Sequence, residues 1–116
     1  MKRVLSILAL LLFGALLAWP QNGTSHSISL NWTASTTSGV TYTVYRGTVA
    51  GGPYTKLASG VAAVTYADTS GAGGTKYFYV VTAVDAKGNE SAYSNEANAT
   101  MLTNPNPPAG LQAVAQ

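Results

Sequence analysis

The sequence predicts an all-β antiparallel sandwich that follows a short apolar leader. Three observations carry this prediction. Past Gln21 no stretch repeats with helical period. Six short runs instead alternate apolar and polar residues with period two, as half-buried strands do. Clusters of glycine, proline, serine, asparagine and aspartate separate the runs at sandwich-like intervals.

The leader comes first. Lys2 and Arg3 precede an apolar run from Val4 to Leu17, and small residues Gly14, Ala15 and Ala18 sit near its exit. A charged start, an apolar middle and a small-residue end compose a secretory signal peptide. Residues 1–18 are therefore expected to form a signal-peptide helix cleaved after Ala18. The alternative is an uncleaved anchor, the one route by which this chain would touch a membrane. The apolar run is shorter than the ~20 residues of a spanning helix. The chain has no cysteine, which excludes a disulfide framework, a thiol nucleophile and a lipidated exit.

Each strand has its own signature. In Ser25–Trp32 one face carries Ile28, Leu30 and Trp32, while the other carries serines and Asn31. Val40–Arg46 is rich in β-branched and aromatic residues. Tyr54–Leu57 and Val64–Ala67 read as short strands. Lys76–Val84 is the strongest, with Tyr77, Tyr79, Val81 and Ala83 on one side and Phe78, Val80 and Thr82 on the other. Asp85–Asn89 is a hairpin turn, and a last strand covers about Ser94–Met101. Ile28, Leu30, Trp32, Tyr42, Val44, Tyr79 and Val81 are expected to meet in one dry interior.

In order and spacing these residues resemble the fibronectin type III domain over about His26–Met101. Trp32 matches the tryptophan of strand B, and Tyr42-Thr43-Val44 looks like strand C. Tyr66–Thr69 is similar to the end of strand E, Tyr77–Asp85 to strand F, and Glu90–Asn95 to the opening of strand G. The resemblance implies an immunoglobulin-like antiparallel sandwich over residues 22–102. It also implies a tyrosine corner in which the Tyr77 hydroxyl ties down the loop before its strand. Gly71 and Gly73 stand where the family usually has leucine and proline, so the Ser70–Thr75 loop is expected to be mobile. The family's strand A is missing, because Trp19–Ser25 is too short to form a strand and its turn. Ile28, Leu30 and Trp32 would then lie at a partly uncovered acceptor edge.

Residues 103–116 read as a proline-rich linker and a strand-A-like tail, with Leu111, Ala113 and Ala115 on one face. Two readings stand. One is a segment of a tandem array, opening a following module. The other is donor-strand exchange, in which these three residues fill the empty slot of the next subunit and build a head-to-tail fibre.

Composition narrows the function. The chain has six basic and four acidic residues, and removing Lys2 and Arg3 leaves four of each. A near-neutral domain lacks the basic patch that nucleic acid requires. His26 is the single histidine, so neither a catalytic triad nor a histidine metal cluster can be assembled. Asp68, Asp85 and Glu90 fall in or beside turns, where such side chains cap backbone groups. The chain is expected to be no enzyme and to need no cofactor or metal. One surface stands out. Tyr45, Phe78 and Val80 should point outward together, as a patch for a sugar ring or a protein partner or as ordinary cross-strand pairing. The expected role is a secreted structural or adhesion module. The alternatives are the self-assembling fibre subunit and a carbohydrate-binding accessory module.

Overall fold

A computed structural model describes residues 25–116. The leader, and with it nearly all of the segment expected to be too short for strand A, lies outside the described residues. Six strands follow: β1 (Ile28–Asn31), β2 (Thr41–Gly47), β3 (Thr55–Val61), β4 (Thr65–Asp68), β5 (Lys76–Val84) and β6 (Ala97–Thr100). The described residues contain no helix. Strands β1 and β4 form one antiparallel sheet, and the other runs in the order β3-β2-β5-β6. The fold is an all-β antiparallel sandwich. His26–Thr103 makes one compact unit, and Asn104–Gln116 falls outside it.

Strand bounds moved where pairing, rather than pattern, decides them. Strand β3 extends to Val61 because its backbone bonds to β2 continue across register shifts near Val44. Strand β6 starts only at Ala97, although the expected strand begins at Ser94. Residues 91–95 still run beside β5, held partly by side chains: Ser91 Oγ accepts from Ala83 N and Ser94 Oγ from Val81 N, both at 2.9 Å. A hydroxyl has here replaced the carbonyl of a regular ladder.

The core sits between the sheets. Ile28 of β1 meets Val44, Tyr77, Tyr79 and Met101, with Leu30, Trp32 and Val81 packed half-buried around them. Tyr42 is also buried, and its ring meets Trp32 edge-on at 5.4 Å. The seven expected core residues thus all turn inward. Tyr77 and Met101 join them.

Met101 explains a departure noted in the sequence. A Cβ on Gly71 would lie 2.6 Å from Met101 Cε and 2.7 Å from Tyr77 Cε2. The methionine, just past β6, occupies the space that a larger residue at 71 would fill. The loop around Gly71 is correspondingly well tied. Ala72 N donates to the Tyr77 hydroxyl at 2.8 Å, which forms the expected corner. Gly74 N donates to Met101 O at 2.7 Å, and Met101 N to Thr75 O at 2.9 Å. The expectation of a mobile loop considered only the entropy of its glycines and not these bonds.

Candidate binding face

Two polar constellations organise the domain. The first is internal. Asp68, at the end of β4, is 1% exposed. It accepts from Tyr79 Oη at 2.6 Å and Arg46 Nη1 at 2.9 Å, and from Ser70 N and Oγ at 3.0 and 2.8 Å. Arg46 also lies over the Tyr77 ring at 4.4 Å. The cluster joins β4 to β2 and β5, and so bolts one sheet to the other. Burial would raise the Asp68 carboxyl, but the hydrogen bonds from Tyr79, Ser70 and Arg46 outweigh it and hold the group at about 2. Burial, then the bond to Asp68, pushes the Tyr79 hydroxyl up. Asp68 does cap its turn as expected. Its larger part, closing the sandwich, needed β2 and β5 to be brought to it.

The second constellation lies on the outer face of the four-stranded sheet. Register places Tyr45 opposite Val80, and Thr43 opposite Thr82, on this face. Three tyrosines then stand in a row. The Tyr93 ring meets Tyr45 at 5.3 Å with planes inclined 68°, and Tyr54 at 5.3 Å with planes inclined 81°. Tyr93 is 52% exposed, and its neighbours are half-buried.

Two carboxylates anchor the row. Glu90 Oε2 accepts from the Tyr45 hydroxyl and, at 2.6 Å, from Thr82 Oγ1. Glu96 Oε2 accepts from the Tyr54 hydroxyl and, at 2.8 Å, from Gly51 N. The Thr82 and Tyr45 bonds lower Glu90, and the Tyr54 and Gly51 bonds lower Glu96. Both glutamates are therefore anions at neutral pH. The same bonds raise the Tyr45 and Tyr54 hydroxyls, because each donates to an anion. The face thus offers aromatic ring surface beside fixed anionic acceptors. Such a surface suits a neutral ring that carries hydroxyl donors and repels phosphate.

The expected patch is partly rearranged. Tyr45 belongs to the face. Val80 shares it by register but is 3% exposed, so it supports the surface rather than forming it. Phe78 is half-buried, with Lys76 Nζ 5.6 Å from its ring centroid. Sequence reasoning missed Tyr54, Tyr93, Glu90 and Glu96 as parts of one site. Tyr54 lies next to a turn and Tyr93 in an irregular segment, so period-two alternation could not aim either ring. A cluster of tyrosine and glutamate in turns was the only available signal.

The remaining expected positions are also accounted for. Ile28 is buried, and Leu30 and Trp32 are half-buried against the core. They face the other sheet, so any pairing edge on β1 consists of backbone and not of these side chains. Leu111, Ala113 and Ala115 lie in a tail without strand structure, Leu111 being 98% exposed. They pair with no strand among the described residues.

No family profile matches the chain. A solved Fn3-like protein from Clostridium thermocellum is 38% identical, with a TM-score of 0.58 over 76% of this chain and 86% of that one. A β-1,2-glucanase from Parabacteroides distasonis is 32% identical over 66% of this chain and 11% of its own, with a TM-score of 0.57. Among curated proteins, an amylopullulanase of Thermoanaerobacter thermohydrosulfuricus is 51% identical over 72 residues, which is 62% of this chain. Chitinase A1 of Niallia circulans is 44% identical over 87 residues. The chain spans only 5% and 11% of the length of these two relatives.

Proposed function

Because this chain belongs to the fibronectin type III-like family, we propose that it is an exported, non-catalytic accessory module that contacts polysaccharide through the outer face of its larger sheet. One observation carries the reading. Tyr93 stands 52% exposed between Tyr45 and Tyr54, and the hydroxyls of those two are bonded to the ionised Glu90 and Glu96. A sugar places C–H groups on an aromatic face and donates its hydroxyls to carboxylates, so both halves of the recognition are present. The relatives add support, since the matched segments are small parts of an amylopullulanase, a chitinase and a glucanase. The leader supports export. A protein-adhesion role would call for an apolar patch with little charge at its centre. Here two anions flank the rings.

Retention on granular starch and on chitin, compared between the native protein and Tyr93→Ala, tests the reading. Tyr93 is exposed, so the variant should fold. Its retention should fall by roughly tenfold, the factor carried by about 1.4 kcal/mol of lost stacking. A native protein that neither matrix retains, or a variant retained equally well, would defeat the proposal.

A further inference from the structure

The aromatic row does not end at Tyr54. Gly47 lies opposite Phe78 on the outer face. A Cβ on Gly47 would lie 3.3 Å from Tyr54 Cδ1, so the Tyr54 ring covers the place that the glycine leaves open. Phe78 and Lys76 follow Thr82 and Val80 along β5 with period two, and so share their face. Lys76 Nζ stands 5.6 Å from the Phe78 ring centroid, and Asn98 lies opposite Phe78 on β6. At the other end, Tyr45, Thr82, Glu90 and Tyr93 line a hollow of about 420 Å³. Thr82 and Lys76 lie at opposite ends of a run of β5 that spans about 20 Å. The two ends differ in kind. Glu90 and Glu96 are each fixed through Oε2, and the Oε1 of each receives no donor among the described residues. Lys76 and Asn98 bring N–H donors instead.

We propose that the whole strip, from the hollow at Glu90 to Lys76, takes one neutral polysaccharide chain laid along β5, several sugar rings at a time. The inference rests on the reading of this face as a polysaccharide contact, and adds to it a length and a second end. Every sugar in such a chain carries hydroxyl donors together with hydroxyl and ether acceptors. One ring on Tyr93 gives its hydroxyl protons to the carboxylates. The chain then continues over Tyr54 to the Phe78 ring, where its oxygens accept from Lys76 and Asn98. The ammonium beside the Phe78 ring is held there by the ring itself, which keeps the donor at the edge of the strip. A chain of acidic sugars would instead meet two carboxylates at one end, and like charges repel.

NMR titrations of the native protein with maltose and maltohexaose, and with the dimer and hexamer of N-acetylglucosamine, test this. In the series that binds, the hexasaccharide should hold roughly tenfold tighter than the disaccharide. It should also move the amide resonances of Phe78 and Asn98, which the disaccharide leaves in place. The double variant Phe78→Leu, Lys76→Ala keeps an apolar side chain at position 78, so the domain should fold. It should lose the advantage of length and bind the disaccharide as before, whereas Tyr93→Ala weakens both ligands. Equal affinity for the two lengths, or hexasaccharide shifts confined to the surroundings of Tyr93, overturns the extended strip and leaves the single contact standing. A double variant that keeps the full advantage of length, or that weakens both ligands alike, overturns it too. If neither series binds the native protein, the strip and the contact fall together.

Discussion

Replacing Asp68 with alanine should cost about 3–5 kcal/mol of folding stability. The carboxylate is 1% exposed and receives donors from Arg46, Tyr79 and Ser70. Without it the Tyr79 hydroxyl loses its acceptor and Arg46 its counter-ion. The Arg46 side chain is 23% exposed, so water covers part of that loss and places the outcome toward the lower end. Even about 3 kcal/mol is a large share of the ~5–15 kcal/mol that holds a domain folded. Acid provides an independent measure. Asp68 is held at about 2, against its ordinary 3.8. Its folded value lies below the unfolded one, so the stabilisation is complete above about pH 4 and drains away as pH falls toward 2. At ~1.36 kcal/mol per pH unit this amounts to about 2.5 kcal/mol. Urea unfolding followed by tryptophan fluorescence, at several pH values between 2 and 7, measures both effects. Asp85, Glu90 and Glu96 are also depressed, so the native profile alone is composite. The difference between native protein and Asp68→Asn isolates the one group. A loss below about 1 kcal/mol for Asp68→Ala, as expected of an exposed pair, would refute the reasoning. So would a native-minus-Asp68→Asn difference that does not shrink between pH 4 and 2.

Two further outcomes follow from packing at the corner. Gly71→Ala should destabilise by about 1–3 kcal/mol through overpacking against Met101 and the Tyr77 ring. Adding Met101→Ala should recover part of that loss in a double-mutant cycle on urea midpoints, and strict additivity would argue against the contact. Tyr77→Phe removes the acceptor of Ala72 N and should cost about 1 kcal/mol. Faster amide exchange at Ala72 should accompany it, and unchanged exchange there would contradict the corner.

Much of the fold was legible because burial of one sheet face writes itself into sequence with period two. Ile28, Leu30 and Trp32 alternate with serines and Asn31, and that alternation alone aimed them correctly. The same rule misjudged Val80. Alternation assigns a residue to a face but does not say whether that face is covered. Val80 lies on the outward face by register and is still only 3% exposed. Gly71 posed a similar problem, since its glycine has meaning only beside Met101, thirty positions away.

By itself the sequence determined the strand content and the inward set of side chains, which depend on local periodicity and on turn chemistry a few residues long, and its resemblance to the fibronectin type III domain implied the Tyr77 corner. Only the tertiary structure decided that Asp68 closes one sheet on the other, and that Tyr45, Tyr54 and Tyr93 stand in a row with Glu90 and Glu96. The partners in both clusters come from separate strands and loops. Their distances depend on how the sheet twists and pairs, and no window along the chain holds that information.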